Sequence, residues 1–323
     1  MRLRLVARDT KIDFFRLERL TFGLSALAMA ASVVLFLVVG LNYGIDFRGG
    51  TSIMAETESQ VPVGEYRAVL GDLGLGDVSV TEISDATGAA TNAVFVRIEQ
   101  QEGDPSIQQE AIVTVKDALT DAFPSVTFLA TESVGAKVSG ELVVAGITAV
   151  LLAVGAVLFY IWLRFEWQFS LGAVAALVHD VVLTIGVFSL VGLEFSLAII
   201  AAILTIVGYS LNDTVVVFDR VRENLRKYKK MELLDLLNLS INETLSRTVM
   251  TSVTTLIALT SLYILGGEVI RGFTFAMIWG VLVGTYSSIF VASAVLLRLG
   301  VKRDWSGEGK GGPAGTQYAN VDA

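Results

Sequence analysis

Residues 195–220 read FSLAIIAAILTIVGYSLNDTVVVFDR, an apolar stretch long enough to cross a bilayer, with a carboxylate, Asp213, inside it. A charge at the centre of a membrane helix costs about 2.5–3.5 kcal/mol on insertion scales and is seldom there without a task. Counting roughly 1.5 Å per residue from Ser196 puts Asp213 about 25 Å along this helix. In a hydrocarbon core of about 30 Å, that is the cytoplasmic third. A second charge, Arg247, follows in NETLSRTVMTSVTTL, residues 242–256, where the next apolar span begins. If the two helices are neighbours, an ion pair at this depth would cancel much of the desolvation cost of each member.

At 100° per residue, Thr205, Gly208, Tyr209, Asn212 and Asp213 fall within about 140° of one another. Arg247, Thr251, Thr254 and Ser261 share one side of the following span. Such faces are expected against other helices or a water-filled path. Asp213 there has two readings. It takes up and releases an ion as its surroundings change, tuned by Arg247, or it forms a fixed bridge that locks two helices. His179, the single histidine, and Asp180 make a second pair in the middle of the third span. They read as a second relay station or as a hydrogen-bonded support, and no other ligands converge on them by spacing to hold a metal. Gly146, Ala149, Ala153, Gly280, Gly284 and Ser288 read as close-packing positions, and Asp219 with Arg220 as an ordinary helix end at the interface.

The whole chain fits this setting. Of 323 residues, 53% are hydrophobic and 17% charged, which places it among integral membrane proteins. The net charge of −8 hides an asymmetry: acidic residues gather in a block near 55–135, and basic ones beside the spans. That pattern sets topology and does not indicate a nucleic-acid partner. Six spans are expected, near 22–41, 141–163, 169–192, 195–218, 249–265 and 272–298. Lys and Arg precede the first span, fill the segment after 219 and follow the last span, so both termini are expected in the cytoplasm. The amphipathic tracts KIDFFRLERLTF and MELLDLLNLSINETL would lie along the membrane interface or pack on the protein.

The block between the first two spans predicts strands near 51–56, 78–84, 93–99 and 125–132, with helices near 63–74 and 105–122. Asp104 and Pro105 suit the start of the second helix. The order β-α-β-β-α-β is the ferredoxin-like pattern. The expected fold class is therefore an α-helical polytopic membrane protein with six transmembrane helices and an extracytoplasmic ferredoxin-like α+β domain between helices 1 and 2. Its parts are an interfacial segment 1–21, a first helix 22–41, the outer domain 42–139, a five-helix bundle 140–298 with a cytoplasmic loop 219–247, and a disordered tail 299–323. There is no cysteine. No nucleophile-elbow motif occurs, and GEGKGG at 307–312 lacks the Ser/Thr and the preceding strand of a phosphate loop. No enzyme activity, cofactor or catalytic residue is expected.

LNYGIDFRGGT at 41–51, GYSLNDTVVVFDRVREN at 208–224 and NLSINETLSRTVMTSVTTL at 238–256 resemble the SecD/SecF family of bacterial protein-export subunits. The resemblance implies the resistance-nodulation-division superfamily and a place in the bacterial inner membrane. It implies the partners SecD, the SecYEG channel, YajC and exported preproteins, with lipid around the bundle. It implies use of the proton-motive force, or of sodium, to promote translocation and release of secreted proteins. The resemblance places ion-relay roles on Asp213 and Arg247; Asn212 and Tyr209, like His179 and Asp180, read as a secondary relay or support. In GIDFRGG, Gly44, Asp46, Gly49 and Gly50 form a signature where the first helix turns into a strand. It reads as a structural hinge ahead of a direct substrate contact, and Asp46 is placed to pair with Arg48 or a partner. Two alternatives remain: half of a proton-coupled exporter of small molecules or lipids, or a translocon scaffold that moves no ion.

Overall fold

The structure, a computed structural model, describes residues 10–83, 92–101 and 103–301. The expected tail beyond Val301, the GEGKGG run, and Arg2, Arg4 and Arg8 lie outside the described residues. Within them, six helices are long and apolar enough to cross a membrane. A helix satisfies its own backbone polar groups, which is what a lipid surrounding demands.

A 3-10 turn, Phe14–Leu17, leads into α1, Glu18–Val38. Then come β1, Asn42–Tyr43, the short α2, Ile45–Arg48, and the α+β domain. That domain holds β2 (Gly50–Glu56), α3 (Val63–Gly71), β3 (Val78–Ile83), β4 (Ala93–Ile98), α4 (Pro105–Ala122) and β5 (Thr127–Val134). Its sheet order, β3-β4-β2-β5 with every pair antiparallel, is that of the ferredoxin-like split βαβ. Period-two alternation turns Ile53, Ala55, Val94, Val96 and Ile98 to one face. There they bury against Tyr66 and Leu70 of α3 and Ile112, Val115 and Leu119 of α4. Asp104 caps α4 by accepting the Ser106 N–H at 2.9 Å, which holds its carboxyl below the usual range.

The remaining spans follow: α5 (Ala136–Arg164), α6 (Trp167–Val191), β6 (Glu194–Phe195), α7 (Leu197–Lys227), α8 (Leu233–Leu265) and α9 (Glu268–Tyr286). The last span continues through a π-helix, Ser287–Ala292, into α10, Ser293–Leu299. The expected loop 219–247 is not a loop. Helix α7 runs on to Lys227 and α8 already begins at Leu233. Helical order persists outside the apolar stretch because Val221 and Leu225 of α7, and Leu236, Leu237 and Ile241 of α8, bury in one core with Phe165, Phe169 and Phe218. Both amphipathic tracts touch the protein, and the first also leaves Ile12, Leu17 and Leu20 exposed. Asn242 Oδ1 accepts the Ile12 N–H and Asn238 Oδ1 the Phe14 N–H, each at 2.9 Å, and Phe15 is buried.

Helices α6, α7 and α9 make the centre of the bundle, whereas α5 leaves Leu151, Leu152 and Trp162 exposed. Small residues set the closest approaches. A Cβ on Gly280 of α9 would overlap Ile206 of α7, and one on Gly284 would meet the Ser210 Cβ at 3.0 Å. We expect Gly280→Val to cost about 1–3 kcal/mol through overpacking. Thermal unfolding in detergent measures this, with Gly155→Val as control, since a Cβ there meets nothing within 4 Å.

Candidate functional site

Asp213 is 3% exposed, and its Oδ2 is buried with no hydrogen-bond partner. It sits on α7 between two buried residues of the same face, Ser210 and Val217. The expected Asp213–Arg247 ion pair is not made: among the described residues no salt bridge joins them, and Arg247 is exposed. The reason lies in α8, which turns Thr244, Thr248 and Ser252 inward at successive turns. Arg247, about 100° from Thr248 around the helix, stays on the flank. It lines a groove with Val216, Asp219, Arg220, Glu223, Glu243 and Thr244.

That groove carries a residue the sequence reading passed over. Glu243 Oε2 accepts from Arg220 Nε at 3.0 Å and from Asn224 Nδ2 at 2.7 Å, fastening α8 to α7. Arg220, which also bonds Glu223 at 2.6 Å, is thus part of a network and not an ordinary helix end. The spacing of Glu243 and Arg247, one helical turn, was the available signal.

The two faces expected to point inward do so only in part. On α7, Asp213 is buried, but Thr205, Gly208 and Asn212 are exposed. On α8, Thr254 and Ser261 are exposed and Thr251 is half-buried. Tyr209 Oη donates to Thr255 Oγ1 at 3.3 Å and joins the two helices between these positions. A polar seam therefore runs along α7 and α8 on the surface of this chain.

His179 and Asp180 lie deeper, 1% and 0% exposed. Asp180 Oδ1 bonds His179 Nδ1 at 3.0 Å, and its Oδ2 accepts from Ser210 Oγ at 2.6 Å and Ser287 Oγ at 2.8 Å. Beside it, Ser288 Oγ and Thr214 Oγ1 lie 2.9 Å apart. Ser210, Thr214 and Ser287 were not singled out by the sequence, and Ser288 read as a packing position. Serine on an apolar helix is ambiguous until its neighbour is known. The π-helix begins at Ser287, where its wider turn faces Asp180 with a hydroxyl. His179 stacks on Tyr286 at 6.0 Å between centroids, and its Nε2 is buried without a partner.

Gly44 and Asp46 lie at the start of α7, far along the chain. Asp46 does not pair with Arg48. Its Oδ2 accepts the Leu197 N–H at 2.8 Å, while Arg48 stands over the Tyr43 ring at 6.0 Å. Gly49 and Gly50 have φ of 76° and 114°, a region that favours glycine. A Cβ on Gly50 would also strike the Ile98 carbonyl.

Ionisable groups enclosed in a helix bundle, beside a polar seam and below a separate α+β domain, define a multi-pass membrane protein with a functional interior. Comparison with known proteins makes this specific. Residues 114–302 match the family described as "Protein export membrane protein SecD/SecF, C-terminal", and 34–61 match the SecD/SecF GG motif. The chain belongs to the SecD/SecF family of protein-export membrane proteins. It is 56% identical to the protein translocase subunit SecF of Cereibacter sphaeroides, covering 100% of this chain and 99% of that one. The Vibrio alginolyticus SecF is 41% identical, covering 92% of each. Among solved structures, SecDF of Thermus thermophilus, described as translocon-associated, is 36% identical with a TM-score of 0.81. This chain covers 39% of that longer one, matched over 91% of its own length. A second SecDF structure, in a super-membrane-facing form, is 35% identical over 93% of this chain but reaches a TM-score of 0.66, covering 40% of that chain.

Proposed function

We propose that this chain joins a SecD subunit in the bacterial inner membrane, with both termini in the cytoplasm. There it converts ion entry into work on secreted proteins emerging from SecYEG, with YajC as an accessory partner. The observation that carries this reading is Asp213: a buried carboxylate with an unpartnered oxygen, beside a polar seam that lipid would solvate poorly. A partner helix laid on that seam would enclose Thr205, Asn212, Thr251 and Thr254 and complete a path past Asp213. Arg247 on its flank would bias the charge of Asp213 without fixing it. That Asp213 and Arg247 form no bridge in this chain supports the relay over a fixed lock.

Each charge crossing the field gains about 2.3 kcal/mol per 100 mV, which is the available driving force. The difference in likeness to the two solved SecDF structures, at nearly equal identity and coverage, supports an arrangement that changes within the family. The test is reconstitution of this chain with SecD and the channel in vesicles, with pH and sodium gradients varied separately. Release of a secreted client should follow one of the two. Release that follows neither would remove the ion-driven reading and leave the scaffold.

A further inference from the structure

We infer that Asp46 is a positioning residue that couples the helix bearing Asp213 to the α+β domain. The inference rests on the ion-driven reading for its purpose but on separate contacts for its geometry. Helix α7 has a residue in its own N-cap position, Ser196, that makes no side-chain cap. Asp46 supplies one from 151 positions away, by accepting the Leu197 N–H. A carboxylate suits that place, since the helix N-terminus carries partial positive charge.

The contact does not stand alone. Gly44 N–H donates to the Phe195 carbonyl at 2.9 Å, and β1 pairs in parallel with β6 through Asn42–Glu194 and Tyr43–Phe195. A Cβ on Gly44 would meet the Glu194 carboxylate, the end of a flexible side chain, so the two segments approach closely here. Glu194 in turn pairs with Arg97 of β4, on the sheet face opposite the one covered by α3 and α4. The rings of Tyr43, Phe47 and Phe195, 5.9–6.3 Å apart, seat the joint on the bundle.

Two links therefore meet at the start of α7: Asp46 on the helix itself and Arg97 on the turn before it. The helix is unbroken from Leu197 to Lys227. A shift of the backbone at Asp213 is carried by a stiff rod of about 24 Å to the point where Asp46 holds it. The GG-motif segment acts as a latch between helix and domain, not as a loose hinge.

The experiment uses the full chain in complex with its partner in vesicles. The chain has no cysteine, so Val113→Cys on α4 and Val191→Cys at the end of α6, both exposed, accept spin labels before assembly with the partner, without background from this chain. Unaltered at position 46, the labelled complex should give a narrow distance distribution that shifts when an ion gradient is imposed. Asp46→Ala should broaden the resting distribution. It should also lower gradient-stimulated export by about tenfold, the loss of one charge-assisted bond, while ion uptake stays near the parent rate. Arg97→Glu and Glu194→Arg should each act the same way, and the two together should restore export. A narrow distribution with normal export in Asp46→Ala would overturn the coupling, as would loss of ion uptake in that variant. If Asp46→Ala does not accumulate, the charge-exchanged pair decides, and a double variant no better than its singles counts against the coupling. An unaltered complex that neither takes up ions nor responds to a gradient would overturn the ion-driven reading and leave only the latch geometry. Broadening of the resting distribution in Asp46→Ala would still support that geometry, and its absence would overturn it.

Discussion

An Asp213→Asn chain should fold, assemble with its partner and lose gradient-stimulated export. Asparagine keeps the size and shape of the side chain at a site that is 3% exposed, so packing against the neighbours of α7 is preserved. It also removes a charge whose burial opposes folding, so stability should hold or rise slightly. What it cannot do is change its charge, and a relay requires that. Basal export without a gradient should be unaltered, while the gradient-driven increment should disappear. Arg247→Ala should give a weaker loss, because that guanidinium lies on an exposed flank and makes no bridge to Asp213 that would break. Export assayed in vesicles, with and without a gradient, separates the two components. Full gradient stimulation in a stably assembled Asp213→Asn complex would sink the relay.

The second large effect concerns stability. Asp180→Ala should lower it by about 3 kcal/mol, the range for removing one member of a buried charged network. Its carboxylate gathers His179 from its own helix, Ser210 from α7 and Ser287 from the π-helix. Alanine leaves the Ser210 hydroxyl and the imidazole without that partner in the middle of the bundle, and Ser287 with only the Gly284 carbonyl. Ser287→Ala removes one donor only and should cost about 1 kcal/mol, in keeping with the modest worth of single hydrogen bonds between membrane helices. Thermal unfolding of the purified complex in detergent measures both. Equal stability of Asp180→Ala and the parent chain would show that the network is not a support. Together with the Asp213→Asn result, this separates a residue that carries charge from one that holds helices.

Much of the fold was legible because it is written in periods. Six apolar stretches, the alternation in β2 and β4, and the Asp104 cap of α4 are local patterns with local causes. Helix ends around residues 219–247 were not legible. The tract is polar on one side, and only the burial of Leu236, Leu237 and Ile241 against neighbouring helices shows that it stays helical. The site divides in the same way. Asp213 stood out from the sequence because a charge in an apolar run is conspicuous. Ser210, Ser287 and Glu243 did not, because each gains its meaning from a partner tens of positions away.

The sequence by itself determined the class of the protein: its spans, the order of its α+β domain and the identity of its costly charges. These follow from composition and periodicity, which act over a few turns of chain. Tertiary structure alone decided which charges meet. Arg247, near Asp213 in depth, faces a different groove because α8 turns its threonines inward. Asp46, remote in sequence, meets the backbone of the very helix that carries Asp213. Contact across the fold depends on the rotation and crossing of whole helices, and side-chain packing along their full length sets these, beyond the reach of any local pattern.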